Sequence, residues 1–492
     1  MRPPARNSAI LCAVAALLAA PAGSTGPASV SANLAARMLA TTPVASDLEA
    51  LCDRIGGRPT GSSACERSID WFVARFDEVK VDRVWTEEFK MPGRWQEGRS
   101  SAEILSPEKI PLRVVAMPFS PPTPKKGLEA PVVVVGDAGP AGSAAVDPSL
   151  RGAFWLIESP VLASWDDLFL DYSRLPPLMD RARAAGAAGL LLIGGRPHDL
   201  LYRHVATMGD VAPYPMAILA REDGLRLARM ARHGARLRLT LDVTTGPSFE
   251  SRNVLAEIRG SERPDEIVLA GAHLDSWDLG TGALDNGANC AMILDVARQM
   301  AAAGVRPRRT VRFALFTGEE EGMYGSLGYV RRHRGEMNRH AAAIIFDSGT
   351  GRITGFSTGG RDDLSDVLDP SLAAVAGYEA RHHTNDAYVG TDNLDFLLEG
   401  VPNLVANQET ANYLDNYHAS SDTFDKVDLR EMKINGAIAA AAIFGIADAS
   451  LRATRQDRAA IASVLERTGL TSQMKLFGLW NAWEKRERGR AD

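Results

Sequence analysis

The chain has 492 residues, is 45% apolar and carries a formal net charge of −6. It is too long for one ordinary core and too apolar for disorder, so two or three packed domains are expected. The basic clusters near 306–309 and 331–334 are short, and nothing in the charge pattern suits a nucleic-acid partner.

At the N-terminus, Arg2 and Arg6 precede the apolar run Ala9 to Ala20. Ala20-Pro21-Ala22 then fits a small-x-small cleavage site, so residues 1–22 read as an export signal. The mature protein is expected to be periplasmic or secreted. The run is too short to span a bilayer, and no stable membrane anchor is expected. Cys12 leaves with the signal; Cys52, Cys65 and Cys290 remain. Export permits a disulfide. Cys52 and Cys65 flank the turn-rich Gly56-Gly57-Arg58-Pro59-Thr60-Gly61, and spacing alone leaves their pairing open. Cys290 falls in an apolar helix and reads as a core thiol.

Leu48 to Phe76 reads as two helices around that glycine turn, followed by a strand, Val84 to Phe89. A proline-rich break, Met117 to Pro124, has linker composition. Short strands follow at Val132 to Val135, Phe154 to Ile157 and Gly189 to Ile193, with a helix at Leu178 to Ala185. Pro215 to Leu219 precedes a further helix through Met230, and Leu237 to Val243 closes the segment. Thr244-Thr245-Gly246-Pro247 is a second break, so the stretch between the breaks reads as an inserted module.

From Asn253 the pattern alternates strand, loop and helix, which predicts an α/β fold with a largely parallel sheet. The strands are Ile267 to Ala272, Val311 to Phe316, Ala341 to Phe346 and Val401 to Ala406. Helices are expected at Ala288 to Ala303, Leu327 to His333, Asp362 to Ala376 and Asn435 to Ala449. His273, Glu319-Glu320 and Asp347 lie just past predicted strand ends, where such sheets bind ligands.

Together with Asp285 and His418, these residues supply two imidazoles, three carboxylates and a spare glutamate. Two zinc ions sharing one carboxylate would need about this inventory, with the spare glutamate as general base. The Asp275 carboxylate is placed to accept the other imidazole N–H of His273. A rival signal is Gly355-Phe356-Ser357-Thr358-Gly359, which matches a nucleophile elbow. An elbow needs a strand before Ser357 and a helix directly after it, whereas 349–360 reads as loop. A serine hydrolase using Ser357 is the alternative.

The stretch from His273-Leu274-Asp275-Ser276-Trp277-Asp278-Leu279-Gly280 to Gly282-Ala283-Leu284-Asp285-Asn286-Gly287-Ala288 resembles the secreted di-zinc aminopeptidases and glutamate carboxypeptidases. It is most similar to their plasma glutamate carboxypeptidase (carboxypeptidase Q) branch. Glu319-Glu320-Glu321-Gly322, Asp347 and His418 before Ser421-Asp422-Thr423 continue the resemblance. It implies a three-layer α/β/α zinc-peptidase domain with a mostly parallel sheet, plus an inserted α+β protease-associated domain. The divisions would be 30–126 for the N-terminal part, 127–245 for the insertion and 246–492 for the main part. By position, one zinc would take His273 and Asp347, the other Glu320 and His418, with Asp285 bridging and Glu319 as base. Asp275 and Asp392 would lie behind the ligands, and the peptide after Asp285 would be cis. The implied activity is exopeptidase cleavage of short peptides by zinc-activated water. Aminopeptidases, dipeptidases and carboxypeptidases all occur on this scaffold, and some relatives are homodimers. No ligand position is replaced, which argues against a catalytically inactive, receptor-like relative. None of the candidates lies in the insertion, which is expected to wall the cleft and limit substrate length.

Overall fold

The computed structural model describes residues 26–136 and 148–492. The export signal read at 1–22 lies outside the described residues. The strands of the main domain form a seven-stranded sheet. Its order is 83–91, 249–258, 309–316, 263–273, 340–345, 403–408 and 353–357. The four strands 309–316, 263–273, 340–345 and 403–408 are parallel, and antiparallel strands extend the sheet on both sides.

The largely apolar character of the central strands follows from burial on both faces. Alternate side chains point opposite ways. Val268, Ala270, Val311, Phe313 and Ile344 join a core with the helices Pro27–Leu39, Ser63–Val79, Ala288–Ala302 and Leu429–Asp448. Leu269, Ala314, Phe316, Ala343 and Ile345 instead pack with Tyr329, Val330 and Phe396 from the helices Tyr324–Arg332 and Leu394–Leu398. The result is three layers. Because three parallel strands end at His273, Phe316 and Ile345, the residues that follow them gather at one edge of the sheet.

A second, eight-stranded sheet runs in the order 110–112, 101–106, 236–240, 128–134, 154–158, 189–193, 216–219 and 114–116. It begins at Ser101, upstream of the boundary expected at 127. The proline-rich break is therefore a connection inside this sheet. Prolines lack the N–H that a ladder needs and interrupt a strand without ending a domain. Met117 N–H still bonds the Met216 carbonyl at 3.0 Å, and the Ser120 hydroxyl accepts from Met216 N–H at 2.9 Å.

The helix read at Leu178 to Ala185 starts earlier, spanning Trp165–Ala185 with Pro176 and Pro177 inside it. Ser164 caps it by accepting from Asp167 N–H, and Gly186 closes it in the left-handed conformation. The helix expected at Asp362 to Ala376 is broken: only Ser365–Ser371 is α-helical, with short 3₁₀ turns around it. Cys52, Cys65 and Cys290 are buried free thiols of the main core. Burial pushes the Cys52 thiol up to about 11. Among the described residues, no helix is long and apolar enough to cross a membrane.

His340, the first residue of its strand, shows how this core responds to acid. Its ring is fully buried between the Tyr329 hydroxyl, 2.8 Å from Nε2, and the Glu336 carbonyl, 3.1 Å from Nδ1. Burial pushes its pKa down from 6.5 to about 3. The ring is neutral in the fold, while the unfolded chain takes a proton near 6.5. Its contribution is therefore present above that value and lost as pH falls toward 3. His340→Gln should flatten the fall of Tm between pH 7 and 4. An unchanged slope would show that other groups govern the acid limb.

Candidate active site

Each candidate side chain is delivered by a strand end or by a loop held against one. His273 is the last residue of its strand, and Asp347 lies two residues beyond Ile345. Asp285 sits in the turn Ala283–Gly287 that enters the helix Ala288–Ala302, and the Asp285–Asn286 peptide is cis. Glu319 and Glu320 follow the strand Arg309–Phe316, and His418 lies in the loop after 413–416.

These residues meet in two trios that share Asp285: His273, Asp285 and Asp347, and Asp285, Glu320 and His418. His273 Nε2 lies 3.0 Å from Asp347 Oδ1 and 3.2 Å from Asp285 Oδ1. His418 Nε2 lies 2.9 Å from Glu320 Oε2 and 3.3 Å from Asp285 Oδ2. The two carboxylate oxygens of Asp285 thus serve one trio each. Donors about 2.0–2.2 Å from a tetrahedral zinc ion stand roughly 3.3 Å apart. The observed spacings fit that polyhedron.

The tautomer of His273 sharpens the point. Its Nδ1 lies 3.0 Å from the Asp275 backbone carbonyl, an acceptor only, so Nδ1 carries the hydrogen. In the neutral ring, Nε2 then presents a lone pair to two carboxylates. Only a cation or an added proton makes that arrangement attractive. The expectation that the Asp275 carboxylate orients this ring is corrected: Oδ1 is 3.7 Å away and the carbonyl takes the role.

The Asp275 carboxylate holds the neighbouring loop instead. It accepts from the Thr60 hydroxyl at 3.0 Å and from Glu320 N–H at 3.2 Å, with Glu319 N–H at 3.4 Å. A side chain that a ligand role alone would not explain therefore fixes where the two glutamates start.

Acid outweighs base throughout the pocket. Burial works against a charged ring at His273, yet the facing carboxylates, Asp347 foremost, hold it well above the ordinary histidine range. His418 is likewise raised to about 9: burial opposes, but Glu320 and Asp285 prevail. Asp285 is lowered despite burial because it faces both imidazoles. The other acids move up. Burial first, and then neighbouring carboxylates, push Glu320 to about 7, Asp392 to about 8 and Glu319 well above the usual range. Asp392 is fully buried beside Asp275 and Asp347.

Glu319 belongs to neither trio and lines the cleft. The cleft holds about 950 Å³. Its walls come from both sheets' domains: Trp165, Phe169 and Tyr172 of the long helix, and Phe477 and Leu479 near the C-terminus. The rival does not assemble. Ser357 ends an edge strand rather than sitting in a loop, and its hydroxyl donates to the Asp386 carbonyl at 3.0 Å. His383 bonds Phe356 N–H through Nδ1 and faces Asp369 through Nε2, so it does not activate Ser357.

The residues that hold the loops of the two trios do not stand out in the sequence. The Arg58 guanidinium, fully buried, donates to the carbonyls of Gly56, Leu274, Thr281 and Gly282 at 2.7–3.0 Å. The Asp422 carboxylate accepts from Leu284 N–H at 2.7 Å and Asp285 N–H at 3.2 Å, fixing the backbone of the shared carboxylate. Both lie in motifs already singled out, Arg58 in the glycine turn and Asp422 after His418. A polar side chain beside a loop does not announce which distant carbonyls it will meet. Arg58→Met would strand several buried acceptors, and should lower the unfolding free energy by about 3 kcal/mol or more. A loss below ~1 kcal/mol in urea unfolding would contradict this reading.

Comparison with known proteins agrees with this geometry. Residues 253–443 match the model of Peptidase family M28. Carboxypeptidase Q of Rattus norvegicus is 28% identical over 407 residues, covering 81% of this chain and 84% of the relative. Carboxypeptidase Q of Homo sapiens is 27% identical over 416 residues, covering 82% and 84%. The crystal structure of a Peptidase M28 precursor from Shewanella amazonensis SB2B superposes with a TM-score of 0.77 at 28% identity. That match covers 87% of this chain and 98% of the other. BSAP, a zinc aminopeptidase from Bacillus subtilis, shares the fold with a TM-score of 0.65 at 20% identity, covering 82% and 96%. The segment that matches the family M28 model contains every residue of both trios and Glu319, and the chain is a metallopeptidase.

Proposed function

We propose that the chain is a di-zinc exopeptidase that removes residues from the free amino end of short peptides. The observation that carries the metal reading is the pair of trios sharing Asp285, each offering one imidazole nitrogen and two carboxylate oxygens. His273 and Asp347 would hold one zinc, Glu320 and His418 the other, and Asp285 both. The excess of buried carboxylate supports two cations and argues against an apolar or purely hydrogen-bonded role. When bound, zinc supplies Lewis-acid polarisation of the scissile carbonyl and makes water a nucleophile near neutral pH.

The protein's own part in the chemistry falls to Glu319. Its carboxylate accepts the proton as water attacks the peptide carbonyl and returns it to the leaving amine. Asp275, through the backbone amides of Glu319 and Glu320, keeps base and ligand in register. Asp392, buried beside Asp347, adds to the field that favours positive charge in the pocket.

The choice of substrate end rests on the cleft wall. A carboxypeptidase needs a cation for the terminal carboxylate. Among the described residues that line this cleft there is no lysine or arginine, whereas Asp210, Glu319 and Asp386 present acid. That lining suits a substrate ammonium and disfavours a carboxylate. The aromatic residues at the mouth suit apolar side chains.

Two experiments test this reading. Glu319→Gln should retain both zinc ions and lower kcat by about 10²–10⁴-fold, while Glu320→Gln should lose zinc. Equal metal loss in both variants would mean that the roles are misassigned. In a substrate panel, amino-acid anilides and free dipeptides should be cleaved, and their N-acetylated counterparts should not. Comparable cleavage of N-blocked peptides carrying a free carboxylate would overturn the amino-end assignment.

A further inference from the structure

We infer that the second sheet's domain is a structural part of one metal site, because its loop 196–204 clamps the segment that carries His418. This inference rests on the two-metal reading of the site. It departs from the expectation that the inserted segment only walls the cleft.

The clamp is made of backbone and one guanidinium. Arg203 N–H donates to the His418 carbonyl at 3.0 Å, and Ser420 N–H donates to the Leu201 carbonyl at 2.9 Å. Between them Tyr202 and Ala419 form an antiparallel bridge. Arg196 Nη2 donates to the Tyr417 carbonyl at 3.2 Å. The carbonyls of Tyr417 and His418 and the N–H of Ser420 are thus all bonded to the same loop.

His418 needs such support. Its φ is 56°, in the left-handed region, where a side chain with a Cβ is disfavoured. A residue keeps that conformation only when its surroundings over-determine it. Arg196 is itself hard to explain otherwise: it is 2% exposed, and its Nε and Nη1 find no hydrogen-bond partner among the described residues. Burying a guanidinium so poorly satisfied is costly. Its bond to a main-chain oxygen falls on Tyr417, the residue before His418, and its Cζ lies 5.4 Å from the centroid of the Tyr202 ring inside the same clamp.

The loop is in turn anchored to the other ligand segment. The Arg203 side chain, buried, forms a fork to Asp278 at 2.9 Å through Nε and Nη2, and pairs with Glu97. Asp278 lies between His273 and Asp285. Loop 196–204 therefore ties the His418 segment to the His273–Asp285 loop, and the effect should fall on the Glu320–His418 site more than on its neighbour.

By linkage, a loop that stabilises a metal ligand must itself be stabilised by the metal. In wild-type protein, adding zinc to the metal-free form should slow amide hydrogen exchange in 196–206 as well as in 416–422. Arg196→Met should weaken one zinc by about 10–100-fold, the range seen when an outer partner of a ligand is removed. Arg196→Lys should restore part of that loss. In a His418→Ala background, Arg196→Met should not weaken the remaining zinc further. Two zinc ions bound with exchange in 196–206 unchanged would overturn the inference alone. Additive loss in the double variant would do the same. Fewer than two zinc ions on the wild type would overturn both the inference and the reading beneath it.

Discussion

The arrangement turns on a surplus of negative charge in a place that water reaches poorly. Two imidazoles face three carboxylates, with Glu319 beside them at the cleft and Asp275 and Asp392 close behind. Carboxylates buried without counter-charge are expensive, and groups so placed either take protons or bind a cation. The upward shifts of Glu319, Glu320 and Asp392 and those of both histidines are two expressions of one need for positive charge. A shared carboxylate with one oxygen in each trio is the economical way to meet it twice.

Much of the surrounding structure can be understood as holding that surplus in place. Parallel strands of buried aliphatic residues bring His273, Glu319–Glu320 and Asp347 to one edge. Loops supply Asp285 and His418, and loops need fastening. Arg58 gathers the carbonyls of 274 and 281–282, Asp422 holds the amides at 284–285, and Asp275 holds those at 319–320. Each of these groups fixes backbone at or next to a candidate ligand. Such outer bonds decide whether ligand atoms sit within a few tenths of an ångström of where an ion needs them.

The central strands and the ligand candidates were legible in the sequence for a physical reason. A strand buried on both faces is largely apolar, so a polar residue at its end stands out, as His273 does after Ile267 to Ala272. Long-range polar contacts leave no such mark. Nothing local to Arg58 names Thr281 as its partner, and nothing local to Arg203 names His418. Proline was also misleading in both directions. At 117–124 it suggested a domain boundary where the chain only crosses within one sheet, and at 176–177 it hid the first half of the helix Trp165–Ala185. In the sequence the strand at Ile353–Ser357 reads as loop, because Gly355 and its polar neighbours lack a strand's usual apolar signature.

The central claim is that Asp285 bridges two cations. Anomalous diffraction at the zinc absorption edge, from crystals of zinc-loaded protein, tests it most directly. Two peaks are expected, one between His273 and Asp347 and one between Glu320 and His418, each in contact with a different oxygen of Asp285. A single peak, or a second peak lying away from Asp285, would contradict it.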